Sequence, residues 1–310
     1  MRCARCSQEA IIDRPYANDH LCAAHLRATV VDRARREMHR QIPRFSSGVV
    51  AVALSGGKDS AAALALAHRH FSRRPTVRLL ALSIDEGIEG YRSRTLSAAA
   101  ELCRTLGVEH TIVRARDRIG TTTDAAARSL PGTIPCSFCG VWRRGLLNQA
   151  ARAVSADLLV LGFNLDDLAQ TVLMNLARGE VDRLLRMSPH RHRQPGLVPR
   201  VAPLARIPER EVYAFARSCG LPFDHAECPH ANAAERNRFR EIVWQLEEAR
   251  PGTRHALLRT RDRIAGLLEQ YGAEGNPGRC TSCGEPSAHA VCRSCEYRKE
   301  AGRSEPGATA

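Results

Sequence analysis

The stretch of the chain with the clearest chemistry is Ser55-Gly56-Gly57-Lys58-Asp59-Ser60. The apolar residues before it, Gly48–Ala53, predict a strand, and the alanine-rich residues after it predict a helix. Two glycines at a strand-to-helix turn let a ligand approach the backbone closely, because neither carries a Cβ atom. The free N–H groups of the helix and the ammonium of Lys58 would then bind phosphate. A turn without a ligand is the alternative, and the complete hexapeptide argues against it.

The twelve cysteines include one set that suggests reactive metal chemistry. Cys136 and Cys139 form a Cys-x2-Cys pair, and Cys228 lies far downstream. Three thiolates are one fewer than a closed tetrahedral site needs, and an open position on a metal usually serves chemistry. The same residues suit an iron–sulfur cubane with one iron left free. A plain dithiol pair and a buried zinc ion are alternatives that the spacing leaves open.

Two further sets of metal-binding residues lie near the ends of the chain. The first combines Cys-x2-Cys with Cys-x2-His and predicts a tetrahedral zinc site with three cysteines and one histidine, on Cys3, Cys6, Cys22 and His25. So short a segment cannot bury a useful core, so the metal would supply its folding energy. The second has two Cys-x2-Cys pairs and predicts a closed, structural zinc ribbon on Cys280, Cys283, Cys292 and Cys295.

Composition indicates a water-soluble globular protein that binds a polyanion. Hydrophobic residues make up 44% of the 310 residues, and no apolar run approaches the ~18 residues that span a bilayer. The N-terminal residues lack an apolar signal region, so we expect a cytoplasmic protein without a membrane partner. The net charge of +13 favours a partner such as nucleic acid, although an arginine-rich genome would also produce it.

Alternating strands and helices predict the fold class, an α/β domain with a parallel sheet and helices on both faces. Four strands are predicted, at Gly48–Ala53, Val77–Ile84, Glu109–Val113 and Leu158–Leu161. Ligands of such sheets bind at the carboxyl ends of the strands. The glycine loop, the loop that begins at Asp85 and the loop Gly162–Asp167 all lie at such ends.

The remaining segments complete the predicted domain organisation. Arginines are frequent in a predicted helix, Leu26–Gln41, and in the polar, proline-rich residues 178–206, where we predict an irregular loop. Both are candidate contacts for a polyanion. Three helices are predicted to follow, at Glu209–Cys219, Ala233–Ala249 and Thr253–Gln270. The predicted units are an N-terminal finger (1–28), a basic linker helix (29–47), a catalytic domain (48–271), a C-terminal zinc ribbon (272–300) and a disordered tail (301–310).

The hexapeptide resembles the pyrophosphate loop, or PP loop, of the ATP pyrophosphatases, which cleave ATP between the α- and β-phosphates and leave AMP on a substrate oxygen. From Cys3 to about Cys295, the chain resembles the tRNA 2-thiouridine synthetases that carry a PP loop between two zinc fingers. The shared motifs include Asp85-Glu86-Gly87, Gly90-Tyr91-Arg92, Cys136-x2-Cys139-Gly140-Val141-x-Arg143-Arg144, Asn164-x-Asp166-Asp167 and Leu173-Met174-Asn175-x2-Arg178-Gly179.

The resemblance implies roles for individual residues. ATP would contact Ala53, Leu54, Ser55, Gly56, Gly57, Lys58, Asp59, Ser60, Ile84, Arg143 and Gly162. A [4Fe–4S] cluster would be held by Cys136, Cys139 and Cys228, and catalysis would involve these cysteines with Lys58, Arg143 and Asp167. One departure is Phe163, which stands where the family usually has histidine.

The implied reaction is ATP-dependent 2-thiolation of a tRNA uridine, with the wobble uridine favoured and the T-loop uridine as the alternative. ATP, Mg²⁺, two Zn²⁺ and a [4Fe–4S] cluster would be the cofactors. The implied partners are tRNA, a sulfur donor (a ubiquitin-like thiocarboxylate carrier or sulfide) and a second copy of the chain. More distant alternatives are a non-catalytic zinc-finger RNA-binding protein and an amide-forming ATP pyrophosphatase that acts on a small molecule.

Overall fold

The structure is a computed structural model that describes residues 1–187, 194–231, 235–270 and 278–303. Its N-terminal part is an antiparallel hairpin followed by a long helix, namely β1 (Ile12–Arg14), β2 (Asp19–Leu21) and α1 (Ala23–Gln41). The hairpin turns through Asn18 in a left-handed conformation, which asparagine tolerates. Helix α1 begins three residues earlier than the sequence predicts, so His25 lies in its first turn, inside the predicted finger.

A five-stranded parallel sheet forms the centre of the molecule, with the strand order β5-β4-β3-β6-β7. The strands are β3 (Gly48–Ala53), β4 (Val77–Asp85), β5 (Glu109–Arg114), β6 (Leu158–Val160) and β7 (Arg200–Val201). The central strand, β3, pairs with β4 and β6, and its register places Val50 beside both Leu79 and Leu158. The four predicted strands are confirmed, and β7 is a fifth that the sequence analysis missed.

Helices cover both faces of this sheet. The helices of the central domain are α2 (Lys58–Phe71), α3 (Arg92–Leu106), α4 (Ala115–Ile119), α5 (Thr123–Ser129), α6 (Pro135–Ala153), α7 (Leu165–Ala177), α8 (Val181–Leu185), α9 (Glu209–Ser218), α10 (Arg236–Ala249) and α11 (Thr253–Gln270). Val50 and Val52 of β3 are buried in one cluster with residues of α1, α2 and α9. Ala51 points the other way and is buried with Ala151 of α6. The predicted α/β class is therefore confirmed.

The prediction of an irregular loop over residues 178–206 is wrong in two places. Helix α8 lies within it, and β7 adds to the sheet edge through Leu159 N–H, which donates to Pro199 O at 2.8 Å, and Leu161 N–H, which donates to Val201 O at 2.8 Å. A two-residue strand is too short to show an alternating pattern, so its pairing depends on the neighbouring strand. Residues 188–193 and 232–234 lie outside the described residues, and α10 begins at Arg236.

The C-terminal part packs against helix α6. It consists of β8 (Gly278–Arg279), β9 (Pro286–Ser287) and α12 (Arg293–Arg303). The indole N–H of Trp142 donates to Ser294 O at 3.4 Å, and the ring of Tyr297 lies 6.0 Å from that of Phe138. Residues 301–303 of the predicted tail belong to α12, whereas residues 271–277 and 304–310 lie outside the described residues. None of the described helices is both long and apolar enough to cross a membrane.

Candidate active site

The PP loop is held in shape by its own side chains. Strand β3 ends at Ala53, and Ser60 Oγ accepts a hydrogen bond from Ser55 N–H at 3.1 Å. The same hydroxyl donates to Gly57 O at 2.9 Å, and Gly57 is the N-cap of helix α2. The first N–H groups of α2 therefore point into a preformed turn, the arrangement that binds phosphate.

The glycines of the site serve different purposes. Gly56 has a φ of +88°, and a Cβ atom there would lie 1.8 Å from Thr95 O, so helix α3 leaves room only for glycine. At Gly57 the nearest atom to such a Cβ would be Ser55 Oγ at 3.7 Å, so the protein itself leaves this position open for a ligand. Gly162 packs tightly against α2, where a Cβ would lie 2.9 Å from Ser60 N.

Lys58 carries its charge towards two carboxylates. Its Nζ atom lies 2.9 Å from Asp59 Oδ2 and 2.7 Å from Glu209 Oε1. Desolvation opposes the charged form, but the two carboxylates outweigh it and raise the pKa of Lys58. Asn164 Nδ2 donates to Asp59 Oδ1 at 3.0 Å and so connects the loop after β6 to the PP loop.

Asp167 combines a structural contact with an unusual protonation equilibrium. Its backbone N–H donates to Asn164 Oδ1 at 3.0 Å, and the two residues form the capping box of α7. Arg236 Nη1 lies 3.4 Å from Asp167 Oδ1. Burial nevertheless raises the pKa of Asp167 to about 6, against the opposing charge of Arg236.

The three cysteines of the predicted cluster site line one cavity of about 610 Å³. Cys136 and Cys139 lie in the first turns of α6, and Cys228 comes from the segment between α9 and α10. Ser55 of the PP loop and Arg143 line the same cavity. We call it the cysteine cavity. Burial raises the pKa of the Cys139 and Cys228 thiols, so a bound metal would have to displace their protons.

The spacing of sulfur atoms separates the metal-binding sets. Among the described residues, two sets have ligand atoms that all lie within 4.8 Å of one another, the N-terminal set with its histidine and the C-terminal four-cysteine set. Zn–S bonds of about 2.3 Å in a tetrahedron place sulfurs about 3.8 Å apart, so both sets fit a zinc ion. The sulfurs of the cysteine cavity do not meet that limit, and a wider spacing suits a larger group such as a cubane.

Individual distances agree with this separation. Cys6 Sγ lies 3.8 Å from Cys22 Sγ, and His25 Nδ1 lies 3.3 Å from Cys22 Sγ. In the C-terminal set the Cys280 and Cys295 sulfurs are 3.9 Å apart. These distances place the predicted ligands at the spacing of a tetrahedral site.

The buried carboxylate of Glu86 connects the PP loop to α6, the helix that carries Cys136 and Cys139. Glu86 Oε2 lies 2.7 Å from Arg92 Nε, and Glu86 Oε1 lies 3.6 Å from Arg143 Nη1. Arg92 Nη1 also donates to Ser55 O at 2.9 Å. Although desolvation opposes it, the charge of Glu86 raises the pKa of Arg143, which stays cationic. Glu86 belongs to the Asp85-Glu86-Gly87 motif, but the motif alone does not indicate that its carboxylate pairs with Arg92 and Arg143.

A second, larger opening of about 1630 Å³ lies next to the PP loop. Lys58 and Glu209 line it, and Arg240 lines both this opening and the cysteine cavity. Of the other predicted ATP contacts, Leu54 and Ile84 are buried and Ala53 is half-buried at the base of the loop. The sequence did not predict that Arg236, Glu209 and Arg240 belong to the site, because their contacts form only on tertiary folding and no local pattern indicates them.

Two family models match the chain. The first describes a PP-loop domain and covers residues 30–247. The second describes the N-terminal LIM domain of the 2-thiouridine synthetase TtuA and covers residues 2–27. Together they span the N-terminal metal-binding set, the PP loop and the cysteine cavity.

Individual relatives match over nearly the whole chain. The tRNA 2-thiolation protein NcsA of Haloferax volcanii is 36% identical, with 95% of this chain and 97% of the relative covered. The tRNA-5-methyluridine(54) 2-sulfurtransferase of Pyrococcus horikoshii is 30% identical over 96% and 93%. The structure of the U34-tRNA thiolase NcsA from Methanococcus maripaludis, solved with its [4Fe–4S] cluster, matches with a TM-score of 0.82 at 33% identity and covers 96% of both chains. The chain therefore belongs to the PP-loop family of tRNA 2-thiouridine synthetases.

Proposed function

We propose that this protein is an ATP-dependent tRNA 2-thiolase, which adenylates the C2 oxygen of a uridine and replaces it with sulfur. The observation that carries the proposal is the shared cavity, which is lined both by Ser55 of the PP loop and by the three cysteines. Activation by ATP and delivery of sulfur need this proximity, because the adenylated uridine must react with sulfur before water hydrolyses it.

The PP loop would perform the activation step. A uracil oxygen is a poor leaving group, and adenylation converts it into a phosphate-linked group that leaves readily. The N-terminus of α2 and Lys58 would stabilise the charge that develops on pyrophosphate. Lys58 pairs with Glu209 at 2.7 Å, so the phosphates would take over this contact. Mg²⁺ bound with the ATP phosphates would add to the stabilisation.

The cysteine cavity would perform the sulfur step. Cys136, Cys139 and Cys228 line one cavity and together offer three thiolates, which would hold a [4Fe–4S] cluster with one iron left free to bind sulfur. Arg143 remains cationic beside Glu86 in the same cavity, where its charge would orient the phosphate of the activated uridine. The two outer cysteine sets would hold structural zinc ions.

The wobble uridine is the proposed target. The solved U34-tRNA thiolase NcsA supports it, as do the Asp85-Glu86-Gly87 and Gly90-Tyr91-Arg92 motifs. The Pyrococcus horikoshii relative keeps the T-loop uridine as the alternative target. We also propose a cytoplasmic location, a homodimer, and a ubiquitin-like thiocarboxylate carrier or sulfide as the sulfur donor.

Anaerobic thiolation of tRNA transcripts tests the proposal. Protein reconstituted with iron, ATP and sulfide should produce AMP and 2-thiouridine, detected by nucleoside mass spectrometry. A transcript that lacks uridine at position 34 should not be modified, whereas one that lacks it at position 54 should be. AMP formation with a small-molecule amine and none with tRNA would favour the amide-forming alternative, and no AMP at all would favour an RNA-binding protein.

The cluster assignment has its own readout. Cys228→Ala should remove iron and its visible absorption while leaving about two zinc ions per chain, because the outer sets do not involve Cys228. If wild-type protein never binds iron, even after reconstitution, and thiolates tRNA with a persulfide donor but not with sulfide, a cysteine persulfide route would be supported instead, because sulfide cannot form a persulfide without an oxidant.

A further inference from the structure

The arginines that the sequence marks as candidate RNA contacts differ in whether a carboxylate lies at ion-pair distance. In α1, Arg33 lies 3.4 Å from Glu211, Arg40 contacts Glu37, and Arg35 and Arg36 contact Asp32. Within 178–206, carboxylates lie at ion-pair distance from Arg178, Arg183 and Arg206. Arg200 has no carboxylate at that distance among the described residues. The sequence alone treated all of these arginines as equal candidates for RNA contacts.

Arg200 lies on the face of the sheet that is covered by α6, the helix of Cys136 and Cys139. It alternates along β7 with Val201, which is buried in the cluster of α1, α2 and α9. Its register partner, Leu159, is buried on the opposite face with Ala151 of α6. The Arg200 side chain is half-buried, so its charge is partly removed from solvent without an anion to balance it.

Arg144 of α6 approaches the same region. Its side chain runs back along the helix, as helical side chains do, and its Nη1 atom lies 3.3 Å from the position a Cβ atom would take on Gly140. Gly140 lines the cysteine cavity, so the Arg144 guanidinium lies just behind one residue of the cavity lining. The side chain is exposed, and within the described part of the chain no carboxylate lies at ion-pair distance.

Positive charge accumulates at this edge of the cavity. Desolvation, together with the charges of Arg143, Arg200 and Arg236, lowers the pKa of Arg144 to about 10. Arg143 has Glu86 and Arg236 has Asp167 as partners, whereas Arg144 and Arg200 have no such partner in the described residues. Two guanidinium groups in a region of like charge favour a bound anion, and the planar guanidinium matches a phosphate geometrically.

We propose that Arg144 and Arg200 bind a backbone phosphate of the tRNA next to the uridine that enters the cysteine cavity. This inference rests on the proposed function. A phosphate of ATP is the other possible source, but the PP loop lies at the end of β3, and β7 is two strands away, about 10 Å at ordinary strand spacing. The phosphates of a tRNA loop continue past the target uridine and reach that distance.

The test compares a double variant, Arg144→Gln with Arg200→Gln, against Arg73→Gln with Arg104→Gln. Both control arginines are exposed: Arg73 follows the C-terminal end of α2, and Arg104 lies in the last turn of α3. The net charge therefore changes equally, at residues that do not line the cavity. Binding of tRNA without ATP is measured by filter binding across a salt series, and binding of ATP without tRNA by calorimetry. Iron content and the thermal midpoint report folding, and Arg144→Lys serves as a milder variant.

We expect the cavity variant to bind tRNA about tenfold more weakly or worse. The slope of log K against log salt should become shallower by about 1, since the loss of one phosphate contact contributes about 0.7–0.9. ATP affinity should not change. Lower ATP affinity with normal tRNA binding would assign the arginines to the nucleotide, and an equal effect of the control pair would make them ordinary surface charges. Either result overturns the inference. Failure of the wild type to thiolate any tRNA would overturn the proposed function instead, while the salt slopes could still be read.

Discussion

At the scale of single residues, Lys58 is the side chain of the PP loop to which we assign stabilisation of the departing pyrophosphate. Its ammonium group contacts Asp59 and Glu209, and we expect it to contact the ATP phosphates when ATP binds. We expect Lys58→Ala to reduce thiolation at least about 100-fold, since loss of one charged contact to a developing anion costs about 2.7–4 kcal/mol. Affinity for tRNA, measured without ATP, should stay within about twofold.

Lys299→Ala is the matched control for Lys58→Ala, because Lys299 is an exposed lysine of α12. It should thiolate tRNA at the wild-type rate. A Lys58→Ala protein that loses tRNA binding in proportion to activity would show that this lysine contacts RNA, against its assignment to phosphate of ATP.

Asp167 predicts a pH-dependent contribution to stability. Its folded-state pKa of about 6 is above the ordinary carboxyl value, so the folded protein holds a proton that the unfolded chain releases between about pH 4 and 6. The contribution of Asp167 is therefore fully present below about pH 4 and is lost as pH rises through about 6. Asn cannot ionise, so Asp167→Asn should gain stability relative to the wild type across this window, by about 1–2 kcal/mol.

Urea unfolding of both proteins at pH 4, 5, 6 and 7 measures this difference directly. The constant cost of altering the capping box cancels when the two proteins are compared across pH. A difference that stays flat from pH 4 to 7 would mean that Arg236, 3.4 Å away, keeps the carboxyl pKa at its ordinary value.

Local patterns were sufficient for part of the site. The hexapeptide and the cysteine spacings predicted the PP loop and the metal-binding sets, because turns and metal ligands depend on residues close in sequence. Glu209 and Arg236 could not be found in this way. They reach Lys58 and Asp167 only after α9 and α10 pack beside the loop, and nothing in their own neighbourhood marks them.

At the scale of elements, the strands with a clear local pattern were predicted, whereas the strand that depends on its neighbour was not. Strands β3 to β6 are apolar and bounded by glycine or polar residues, so the sequence predicts them within one residue at each end. Strand β7 is formed by two residues whose hydrogen bonds to β6 depend on the sheet already present. The helix α6 was also unassigned, although Pro135 at its first position suits a helix start.

Packing of the C-terminal part on α6 predicts that the two metal sites are coupled. Trp142 and Phe138 of α6 contact α12, and Cys136 and Cys139 lie on the same helix. Cys280→Ala should remove one zinc ion, release α12 and lower iron retention at least about twofold, because a structural zinc supplies folding energy to its module. Zinc and iron are measured together by mass spectrometry after anaerobic purification.

Cys3→Ala provides the control, since it should also remove one zinc ion but from the N-terminal set, away from α6. Its iron content should match that of the wild type. Equal iron in both variants would show that α6 holds its cysteines without help from the C-terminal part, and equal loss in both would indicate general instability.

At the scale of the whole molecule, charge sets the expected behaviour towards tRNA. The formal charge of +13 counts the cysteines as neutral thiols. Zinc on three and on four thiolates would contribute −1 and −2, and a [4Fe–4S]²⁺ core on three thiolates would contribute −1, so a protein loaded with all three would carry about +9. This surplus still favours binding of a polyanion. The structure shows that some arginines are paired with carboxylates of the protein, whereas others are not.

Several arginines of α1 are bound to groups of the protein itself. Arg35 and Arg36 both contact Asp32 within the helix, and Arg27 donates to Ser218 O at 2.8 Å. Such arginines form a charged face that is largely satisfied by the protein itself, so they have less to gain from a phosphate. The basic composition of the predicted linker helix is therefore not sufficient evidence for an RNA-binding surface.

The final prediction is that tRNA affinity of the wild-type protein falls steeply between about 50 and 200 mM salt, whereas Arg35→Gln with Arg36→Gln leaves the slope unchanged. The steep fall follows from release of counterions by phosphate contacts across the basic surface. The unchanged slope follows from the Asp32 contacts, because removal of both arginines frees one acidic charge without removing a phosphate contact. Filter binding over the salt series, with circular dichroism to confirm helix content, provides the measurement. A shallower slope in this variant would place the tRNA across α1 and move the binding surface away from the arginines of the cysteine cavity.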